Sequence, residues 1–389
     1  MAKAVLVKGK EKRVEYGHPW IFKSDISDVQ GSFHPGDIVD IYSSRNKFLG
    51  RGYMNPLSQI AIRVLTYEQE EINGDFLYKR ISAAWDYRKK IADINSCRAV
   101  FAESDFLPAL IVDKFAGYLV VQTLALGMDK LKDQVVDILD AVIKPEGIFE
   151  RNDVPVRQLE GLEQRKGYLK GNFDTRVEMS ENGVKFLVDI ENGQKTGFFL
   201  DQKENRAAIK PFVKGSKVLD CFSHTGSFAL HAGYYGAHQV LGIDISEHAV
   251  ECASQNAKLN GLENICRFET ANTFDKLREF YDSGEKFDVV ILDPPAFTKT
   301  KSAVEGAVRG YKEINLRAMK IIESGGFLVT CSCSHHVDPE LFMDIVYNAA
   351  IDAKKKVRLL EYRSQAKDHP ILLASEETEY LKCAILQIV

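Results

Sequence analysis

The sequence predicts an α/β protein whose C-terminal half is a doubly wound parallel sheet, preceded by a small β-barrel and a central α+β domain. Strand-like runs alternate with helical stretches from about residue 205, as in KVLDCF (217–222), QVLGIDI (239–245) and FDVVILD (287–293). The first 73 residues instead contain short alternating runs that are broken by turn residues such as Pro35-Gly36. With 389 residues, the chain is too long for one ordinary hydrophobic core.

Periodicity and turn signals define the predicted elements in order. We assign residues 1–73 to the barrel, 74–175 to the central domain and 176–389 to the domain of the parallel sheet. The central domain is expected to contain helices at 75–96 and 128–143, apolar runs at 107–112 and 118–126, and a loop-rich stretch at 144–173. The last domain is expected to begin with a hairpin and then alternate strands at 217–222, 239–245, 266–270, 287–293 and 326–332 with helices at 247–259, 274–283 and 303–323.

Composition excludes several classes of protein. Hydrophobic residues make up 45% and charged residues 27%, which is typical of a globular protein. No run approaches the roughly 20 apolar residues of a membrane span, and the N-terminus lacks a signal peptide, so we expect a cytoplasmic protein without a membrane partner. Seven cysteines without a C-x-x-C pair indicate a reducing compartment. The net charge of −4 gives no overall attraction to nucleic acid, but the first 24 residues are basic, which fits either phosphate binding or a solvated terminus.

The first strand of the predicted parallel sheet ends in a loop with one acid and one glycine. DCFSHTGS (220–227) leads into a helix, and Gly226 lets a ligand approach the backbone closely. Asp244 ends the second strand, where an acid can hydrogen-bond the ribose hydroxyls of an adenosine cofactor. A dinucleotide requires G-x-G-x-x-G, and Asp220 would repel its pyrophosphate but suit a sulfonium cation. We therefore expect S-adenosylmethionine rather than NAD; a nucleotide fold that binds nothing is the alternative.

The fourth strand of this sheet ends in Asp293-Pro294-Pro295-Ala296-Phe297. The prolines stiffen a loop at the edge of the cofactor and fix the direction of Asp293, although Asp-Pro also marks ordinary turns. An aromatic residue directly after D-P-P would suggest methylation of an exocyclic amine. Here Ala296 intervenes, which weakens that hypothesis.

The fifth strand ends in VTCSCSHH (329–336), which allows three interpretations. A zinc site would need ligands from a second place, so no metal is expected. Cys331 suits a buried core position, whereas Cys333 lies where the strand enters the crevice. As a nucleophile, Cys333 could add to carbon 6 of a pyrimidine and activate carbon 5 for methylation, with Asp293 holding nitrogen 3. Candidates for the base that removes the carbon-5 proton are Lys299, His335 and His336, and the sequence does not choose among them.

The stretches with these motifs, and others along the chain, carry a resemblance to a known family. They are RVEYGHPWIFKSDI, PGDIVDIYSSRNKFLGRGYMNP, FLPALIVDKFAGYLVVQTL, NGQKTGFFLDQKENR (192–206), LDCFSHTGSFAL (219–230), GIDIS (242–246), DPPAF (293–297) and TCSCS (330–334). The chain resembles, over nearly its whole length, the bacterial ribosomal RNA large-subunit methyltransferase I family of S-adenosylmethionine-dependent cytosine-C5 RNA methyltransferases. The resemblance implies an N-terminal PUA domain that binds RNA, a central α+β domain and a Rossmann-like class I methyltransferase domain. It implies large-subunit ribosomal RNA as partner and leaves a homodimer open.

The same resemblance implies roles for individual residues. It places the cofactor against Thr196, Phe198, Asp201, Arg206, Asp220, Phe222, Thr225, Gly226, Asp244, Asn272 and Asp293. It places the nucleophile on Cys333, with Cys331 as the fallback and Asp293 as the second catalytic residue. Asn272 departs from the family pattern, which has an acid near the adenine. Relatives with a second cysteine in the fourth-strand motif use it for product release, and Pro-Pro stands there in this chain.

Other functions stay open from the sequence. The methyl acceptor could be carbon 5 of uracil or an exocyclic amine instead of cytosine carbon 5. The rival class is a non-catalytic RNA-binding or assembly protein that keeps the fold as a scaffold, with Gly17-His18-Pro19-Trp20 as part of an RNA contact. The set Asp220, Asp244, Asp293 and Cys333 favours the enzyme.

Overall fold

The computed structural model of the protein describes residues 1–298 and 300–389. The chain divides into two compact units, each built from three separated stretches. The first comprises Met1–Met179, Val188–Leu200 and Lys367–Thr378, and the second comprises Ser180–Leu187, Asp201–Ala366 and Glu379–Val389. The three domains predicted from the sequence, with boundaries after residues 73 and 175, remain a prediction.

The N-terminal part of the first unit is a six-stranded sheet with one short helix. Its elements are β1 (Ala2–Leu6), α1 (Glu11–Glu15), β2 (Trp20–Ile21), β3 (Ile26–Gln30), β4 (Ile38–Tyr42), β5 (Phe48–Met54) and β6 (Ile62–Thr66). The strand order is β2-β6-β5-β4-β1-β3. Side chains alternate between buried and partly exposed along β1 and β4, as expected for strands with one face on a core. The predicted short-strand character of residues 1–73 is confirmed.

The rest of the first unit is built around a second sheet. Its elements are α2 (Gly74–Ile91), β7 (Ser96–Phe101), β8 (Leu110–Phe115), β9 (Tyr118–Thr123), α3 (Leu126–Lys130), α4 (Lys132–Ile143), β10 (Gly147–Asn152) and β11 (Arg165–Lys170). The strand order is β11-β10-β9-β8-β7. The Asn73 side chain caps α2 by accepting a hydrogen bond from the Phe76 backbone. Phe76, Leu77, Ile81 and Trp85 then pack into the core of this sheet.

Two predictions for this region are wrong. Helix α2 ends at Ile91 rather than 96, and the stretch predicted as loop-rich contains β10 and β11. All six residues of β10 are buried, so the strand lacks the alternation that marks a half-exposed strand. Its polar side chains are satisfied inside the unit, since Asn152 Nδ2 donates to Thr123 Oγ1 at 2.8 Å and Lys132 Nζ donates to Glu150 Oε1 at 2.7 Å. Because these polar residues are buried in pairs, the sequence of β10 lacks the hydrophobic pattern from which a strand is predicted.

The predicted hairpin is present as β12 (Arg176–Glu181) and β13 (Val184–Asp189). Asn182 and Gly183 both have positive φ, at 50° and 88°. A two-residue turn with positive φ at both positions matches the right-handed twist of the flanking strands, which explains the Asn-Gly pair.

The second unit is dominated by a seven-stranded sheet with helices between its strands. Its elements are α5 (Lys203–Ala208), α6 (Lys210–Val213), β14 (Lys217–Cys221), α7 (Ser227–Tyr234), β15 (Gln239–Asp244), α8 (Glu247–Leu259), β16 (Cys266–Thr270), α9 (Thr273–Ser283), β17 (Phe287–Leu292), α10 (Val304–Ile321), β18 (Ile322–Ser332), α11 (Pro339–Asp352), β19 (Val357–Arg363) and β20 (Lys382–Ile388). The strand order is β16-β15-β14-β17-β18-β20-β19. None of the helices in the described ranges is long and apolar enough to cross a membrane.

This topology brings the carboxyl ends of strands β14 to β18 to one edge of the sheet. Strands β14 to β18 are parallel, so the doubly wound sheet predicted from the sequence is confirmed. Their carboxyl ends therefore meet at one crevice, which starts where β14 and β17 lead in different directions. Strand β20 runs antiparallel to β18, so it begins at this same edge. The sequence analysis did not predict β19 and β20.

Candidate active site

Asp220 is a buried carboxylate near the end of β14. Its side chain is 1% exposed, and its Oδ2 atom accepts a hydrogen bond of 2.8 Å from the Ala229 backbone in α7. Its Oδ1 atom has no hydrogen-bond partner among the described residues. Burial raises the pKa of Asp220 well above its ordinary value, and the charges of Asp293 and Asp244 add to the effect. A cation at Oδ1 would offset both causes.

The loop after β14 holds an unusual backbone conformation. Phe222 and His224 have positive φ values of 65° and 48°, and Gly226 has a φ of 84°. A Cβ atom on Gly226 would lie 2.9 Å from the Phe268 ring and 3.1 Å from Ala253. Non-glycine residues at positive φ are uncommon and concentrate at functional sites. The loop is thus packed so closely that only glycine fits at position 226.

Asp244 ends β15 and is bound to that loop. Its Oδ2 atom accepts from the His224 backbone and its Oδ1 atom accepts from the Ser246 backbone, both at 2.9 Å. The following residue, Ile245, is 74% exposed although it is large and apolar. The sequence analysis missed Ile245, and the signal was an apolar residue directly after the strand-end acid. An exposed apolar side chain beside a carboxylate suits a flat base attached to a ribose.

Two further predicted cofactor residues lie near these loops. Asn272 is exposed and caps α9, where its side-chain oxygen accepts a hydrogen bond of 2.9 Å from the Phe274 backbone. The Thr225 carbonyl accepts a hydrogen bond of 3.1 Å from Asn256 Nδ2. The amide of Asn272 therefore has a structural role, and its predicted contact with adenine would use the remaining donor and acceptor capacity of that amide.

A chain of side-chain hydrogen bonds ends on Asp293, just after β17. Arg363 Nε donates to Asn205 Oδ1 at 3.0 Å, and Asn205 Nδ2 donates to Gln202 Oε1 at 2.7 Å. Gln202 Nε2 then donates to Asp293 Oδ1 at 2.8 Å. Gln202 is 2% exposed, so its amide is held in one orientation by partners on both sides. The sequence analysis did not single out Gln202 or Asn205, because nothing in their spacing marks them.

Cys333 lies one residue beyond β18 and is partly exposed, and its Sγ atom is 4.0 Å from the carbonyl oxygen of Pro294. The cysteine is thus beside the loop that carries Asp293. Cys331 differs, since it is fully buried and lies opposite Cys383 on β20. A hydrogen bond with Cys383, together with burial, raises the pKa of Cys331 well above its ordinary value, which disfavours a thiolate there.

Phe222 and Phe297 belong to one aromatic cluster. Their ring centroids are 6.4 Å apart, and the Phe297 ring lies 4.6 Å from that of Tyr311 in α10. Both phenylalanines pack against the hydrophobic core of the sheet. The aromatic residue of the D-P-P-A-F motif therefore serves packing under the loop.

Asp201 and Arg206 are buried in the second unit. Asp201 Oδ2 accepts a hydrogen bond of 2.7 Å from the Tyr380 hydroxyl. Arg206 donates to both oxygens of Glu181, at 2.6 and 2.9 Å, and none of this ion pair is exposed. Breaking such a pair by removing one partner is strongly destabilising. Arg206 thus anchors the hairpin strand β12, and its predicted contact with the cofactor remains a prediction.

Thr196 and Phe198 belong to the first compact unit. Thr196 Oγ1 donates a hydrogen bond of 2.6 Å to Asp113 Oδ2, and Asp113 is also held by Arg98 through two hydrogen bonds of 2.8 Å. Phe198 is buried, at 3% exposure. Their predicted position at the cofactor pocket remains a prediction.

The sequence offered three candidate bases, Lys299, His335 and His336. Lys299 lies outside the described residues. His335 and His336 are exposed and contact each other, with ring centroids 5.4 Å apart. Within residues 1–298 and 300–389, no cluster of histidine, cysteine and carboxylate side chains could hold a metal ion.

The residues of the second unit fit S-adenosylmethionine. The Oδ1 atom of Asp220, which has no hydrogen-bond partner in the described part of the chain, is a buried acceptor suited to an ammonium or sulfonium group. Gly226 keeps the loop free of a side chain, and Asp244 with Ile245 offers an acid and an apolar surface for an adenosine. Nothing in this set resembles the glycine-rich cradle that a pyrophosphate requires.

Comparison with known protein families agrees with this assignment. The S-adenosylmethionine-dependent methyltransferase family matches residues 163–370, and the PUA-like domain family matches residues 5–67. Ribosomal RNA large subunit methyltransferase I of Aeromonas salmonicida is 43% identical to this chain over 98% of both proteins. The proteins of the same name from Photobacterium profundum and Vibrio cholerae are 44% and 43% identical, over 97% and 98% of both chains.

Solved structures with the same fold are more distant in sequence. One protein, described as a SAM-dependent methyltransferase from Streptococcus mutans, is 19% identical and superposes with a TM-score of 0.84 over the full length of both chains. A methyltransferase solved in complex with SAH is also 19% identical and gives a TM-score of 0.86 over the full length of both chains. At this identity, the likeness establishes the fold alone.

Proposed function

The chain belongs to the S-adenosylmethionine-dependent methyltransferases and, among them, to the ribosomal RNA large subunit methyltransferase I family, and on that premise we propose that it methylates carbon 5 of a cytosine in large-subunit ribosomal RNA through a covalent cysteine adduct. The observation that carries this proposal is the position of the Cys333 sulfur beside the Asp293-Pro294 loop, 4.0 Å from the Pro294 carbonyl. A thiol and a carboxylate at one crevice are two of the groups that this chemistry requires.

The cofactor is S-adenosylmethionine, which supplies an electrophilic methyl group when bound. Asp220 would hold its amino-acid end, because the Oδ1 atom is a buried acceptor that has no partner among the described residues. Asp244 would accept hydrogen bonds from the ribose, and Ile245 would cover the adenine. Thr196, Phe198, Asp201, Arg206, Phe222, Thr225, Gly226 and Asn272 complete the proposed set of cofactor-binding residues.

Cys333 acts on the pyrimidine as a nucleophile. Its thiolate forms a bond to carbon 6, the electron pair of the 5,6 double bond forms a 4,5 double bond, and the pair of the 3,4 double bond takes up a proton at nitrogen 3. The resulting enamine is nucleophilic at carbon 5. After methyl transfer, a base removes the proton on carbon 5. The double bond then re-forms and the sulfur–carbon bond breaks, which returns the thiolate.

Asp293 acts on the opposite side of the ring. It would donate a proton to nitrogen 3 as the adduct forms and take it back as the adduct collapses. The hydrogen bond of 2.8 Å from Gln202 Nε2 to Asp293 Oδ1 restrains the rotation of this side chain. The carboxylate is thereby held in one direction at the crevice, which is what a proton donor to a fixed ring requires.

The aromatic cluster counts against methylation of an exocyclic amine. An enzyme of that kind would need the aromatic ring after D-P-P to stack on the target base. Phe297 instead packs against Tyr311 and the core beneath the loop. Carbon 5 of uracil would use the same nucleophile, and nucleoside mapping separates the two pyrimidines.

The N-terminal PUA-like domain is proposed to bind the RNA, and the target base would be flipped out into the crevice. Trp20 is a candidate contact that is partly exposed, with its Nε1 atom donating to Glu103 at 2.9 Å. The His18 ring meets it edge-on at 5.9 Å. The indole is therefore held in place and offers only part of its surface to a base.

Methyl transfer to ribosomal RNA from a strain that lacks this protein tests the proposal. With labelled S-adenosylmethionine, the wild type should place the label in 5-methylcytidine, and Cys333→Ala should lose activity by several orders of magnitude. Cys331→Ala is the matched control and should keep activity, because that thiol is buried against Cys383. Equal activity of Cys333→Ala and wild type would exclude the nucleophile. Label in another nucleoside would exclude cytosine carbon 5, and no labelling by the wild type would favour the scaffold.

A further inference from the structure

A buried lysine lies at the first position of β20, directly beside the end of β18. Lys382 pairs in register with Ser332, the last residue of β18 and the neighbour of Cys333. Since β20 runs antiparallel to β18, its first residue lies at the crevice edge of the sheet, where the parallel strands have their carboxyl ends. Lys382 is 2% exposed. Fully buried lysines are rare unless they are paired with an acid or used in chemistry.

Among residues 1–298 and 300–389, the amino group of Lys382 has two hydrogen-bond partners, and neither is an acid. Its Nζ atom donates to the Ser334 carbonyl at 2.8 Å and to the Tyr380 carbonyl at 2.9 Å. It forms no ion pair with any carboxylate of the described residues. A neutral amide could bond two carbonyls at lower desolvation cost, so capping alone does not account for a buried ammonium. Lys382 instead contacts both chain neighbours of Cys333, since its backbone pairs with Ser332 and its Nζ atom bonds the Ser334 carbonyl.

The two carbonyls take two of the hydrogen-bonding directions of the nitrogen, and no other described residue takes the third. An ammonium has three N–H groups, and a neutral amine has two N–H groups and one lone pair. Lys382 can therefore keep both hydrogen bonds in either protonation state. When the ammonium loses a proton, the N–H group in the third direction is replaced by a lone pair, which can accept a proton.

In the described part of the chain, the charged groups that act on Lys382 come from three segments. Cys333 follows β18, Asp338 is the N-cap of α11, and Glu379 precedes β20; the negative charge of each raises the pKa of the lysine. Burial acts in the opposite direction and is the larger effect, so the pKa of Lys382 is lowered to about 8. Both protonation states are then populated near neutral pH.

We propose that Lys382 is the proton partner of Cys333. The proton of the thiol moves to the lone pair of Lys382 Nζ, which leaves a thiolate beside an ammonium, and no atom or electron is gained or lost by the pair. When the thiolate leaves carbon 6 at the end of the reaction, the same proton returns to it. Lys382 thus acts through Cys333 as a positioning residue. The inference rests on the proposed nucleophile.

Alkylation of Cys333 tests this partnership without RNA and without methyl transfer. Cofactor-free protein is treated with iodoacetamide at a series of pH values, and the modification of Cys333 is followed by fragmentation mass spectrometry. Lys382→Gln keeps two N–H donors for the two carbonyls but removes the charge. We expect it to raise the apparent pKa of the Cys333 thiol by about one unit, which slows alkylation at pH 7 about tenfold.

A second pair of variants separates charge from packing. Lys382→Met removes the charge and the donors, and it should raise the thiol pKa as Lys382→Gln does. Lys382→Arg keeps a permanent charge and should leave the thiol pKa near that of the wild type while removing the proton acceptor. An S-adenosylmethionine Kd within about twofold of wild type shows that each variant is folded at the site. Where one neutral variant does not fold, the other carries the test.

The outcomes distinguish this inference from the proposed function. An alkylation profile of Cys333 that is the same in wild type and in a folded neutral variant would overturn the role of Lys382, whatever the activity of Cys333→Ala. Full activity of Cys333→Ala would overturn the nucleophile, even if Lys382 were found to lower the pKa of the thiol. A raised thiol pKa in the neutral variants, with loss of activity in Cys333→Ala, supports both.

Discussion

Gln202 Nε2 donates a hydrogen bond of 2.8 Å to Asp293 Oδ1, at the end of a hydrogen-bond chain that starts from Arg363. Gln202 is buried and is proposed to fix the direction of the carboxylate without touching the pyrimidine. Gln202→Leu should therefore lower kcat about tenfold, the loss of roughly one hydrogen bond to a charged group. The Kd for S-adenosylmethionine, measured by calorimetry, should change less than twofold.

Gln202→Glu is the sharper companion variant, because it places a second carboxylate against Asp293 while keeping the shape of the side chain. Repulsion between the two like charges should raise the pKa of the facing carboxyl groups. Because Asp293 acts as a proton donor, the limb of the kcat profile at which its proton is lost should move to higher pH. A profile that is the same as in wild type would show that Gln202 does not act on Asp293.

The raised pKa of Asp220 predicts how cofactor binding depends on pH. Burial disfavours the ionised carboxylate in the ligand-free protein, whereas a bound cation favours it. The affinity for S-adenosylmethionine should thus rise with pH up to the raised pKa of Asp220 and then level off. Asp220→Asn should bind about 10- to 100-fold more weakly at high pH and lack this dependence. Isothermal titration at several pH values measures both, and a parallel pH dependence in the two proteins would contradict the assignment.

Asp220 also links pH to the stability of the ligand-free protein. Its folded pKa lies above the value in the unfolded chain, so the folded state holds the proton more tightly. Stability from this group should be lost as pH rises from the unfolded pKa, about 3.9, to the raised folded pKa. Denaturant melts of Asp220→Asn should lack this loss. If the stability of the variant fell more steeply with pH than that of the wild type, the predicted effect of Asp220 would have the wrong sign.

Gly226 predicts a combined loss of stability and binding. Gly226→Ala must adopt a φ near 84° and place its Cβ 2.9 Å from the Phe268 ring. Gly284 is the matched control, since it has a φ of 78° and nothing within 4 Å of the added Cβ. Gly284→Ala should cost about 1–2 kcal/mol of unfolding free energy from backbone conformation alone. Gly226→Ala should cost more and should also weaken S-adenosylmethionine binding. Equal costs in chemical denaturation would mean that the loop relaxes around the methyl group.

Ile245 predicts a loss of binding without a loss of stability. It is 74% exposed, so Ile245→Ser should leave the melting temperature unchanged but weaken S-adenosylmethionine binding about 5- to 30-fold through lost contact with the adenine. Ile351→Ser is the control, because Ile351 is 53% exposed on α11. An equal effect of the two substitutions on the Kd would remove Ile245 from the proposed site.

The sequence predicts those strands and acidic residues that are marked by their immediate neighbours in the chain. The parallel strands β14 to β18 and the hairpin turn at Asn182-Gly183 follow from alternation and turn chemistry, and the structure confirms them. Asp220, Asp244 and Asp293 could be singled out because each lies at or near a strand end. Strand β10 was missed because its charged residues are paired inside the unit.

Residues that act through other residues could not be found in this way. Gln202 is far from its partner Asp293 in the sequence, and Lys382 is far from its partner Ser334. Each pair comes together only when the sheet has assembled. No spacing or composition marks a glutamine that orients a carboxylate. The antiparallel strand β20, which carries Lys382, was not predicted. The sequence therefore provides no reason to expect this lysine at the crevice.

Trapping of the covalent adduct tests the central claim most directly. Ribosomal RNA that contains 5-fluorocytidine allows attack at carbon 6 and methylation at carbon 5. Carbon 5 then carries fluorine instead of a hydrogen that a base can remove. The sulfur–carbon bond therefore persists. Incubation with S-adenosylmethionine should give a denaturation-resistant protein–RNA complex, with the nucleotide attached to the peptide of Cys333. Wild type and Cys331→Ala should both form it, and Cys333→Ala should not. A complex attached to any other residue, or methylation of ordinary RNA by Cys333→Ala at the wild-type rate, would contradict the account.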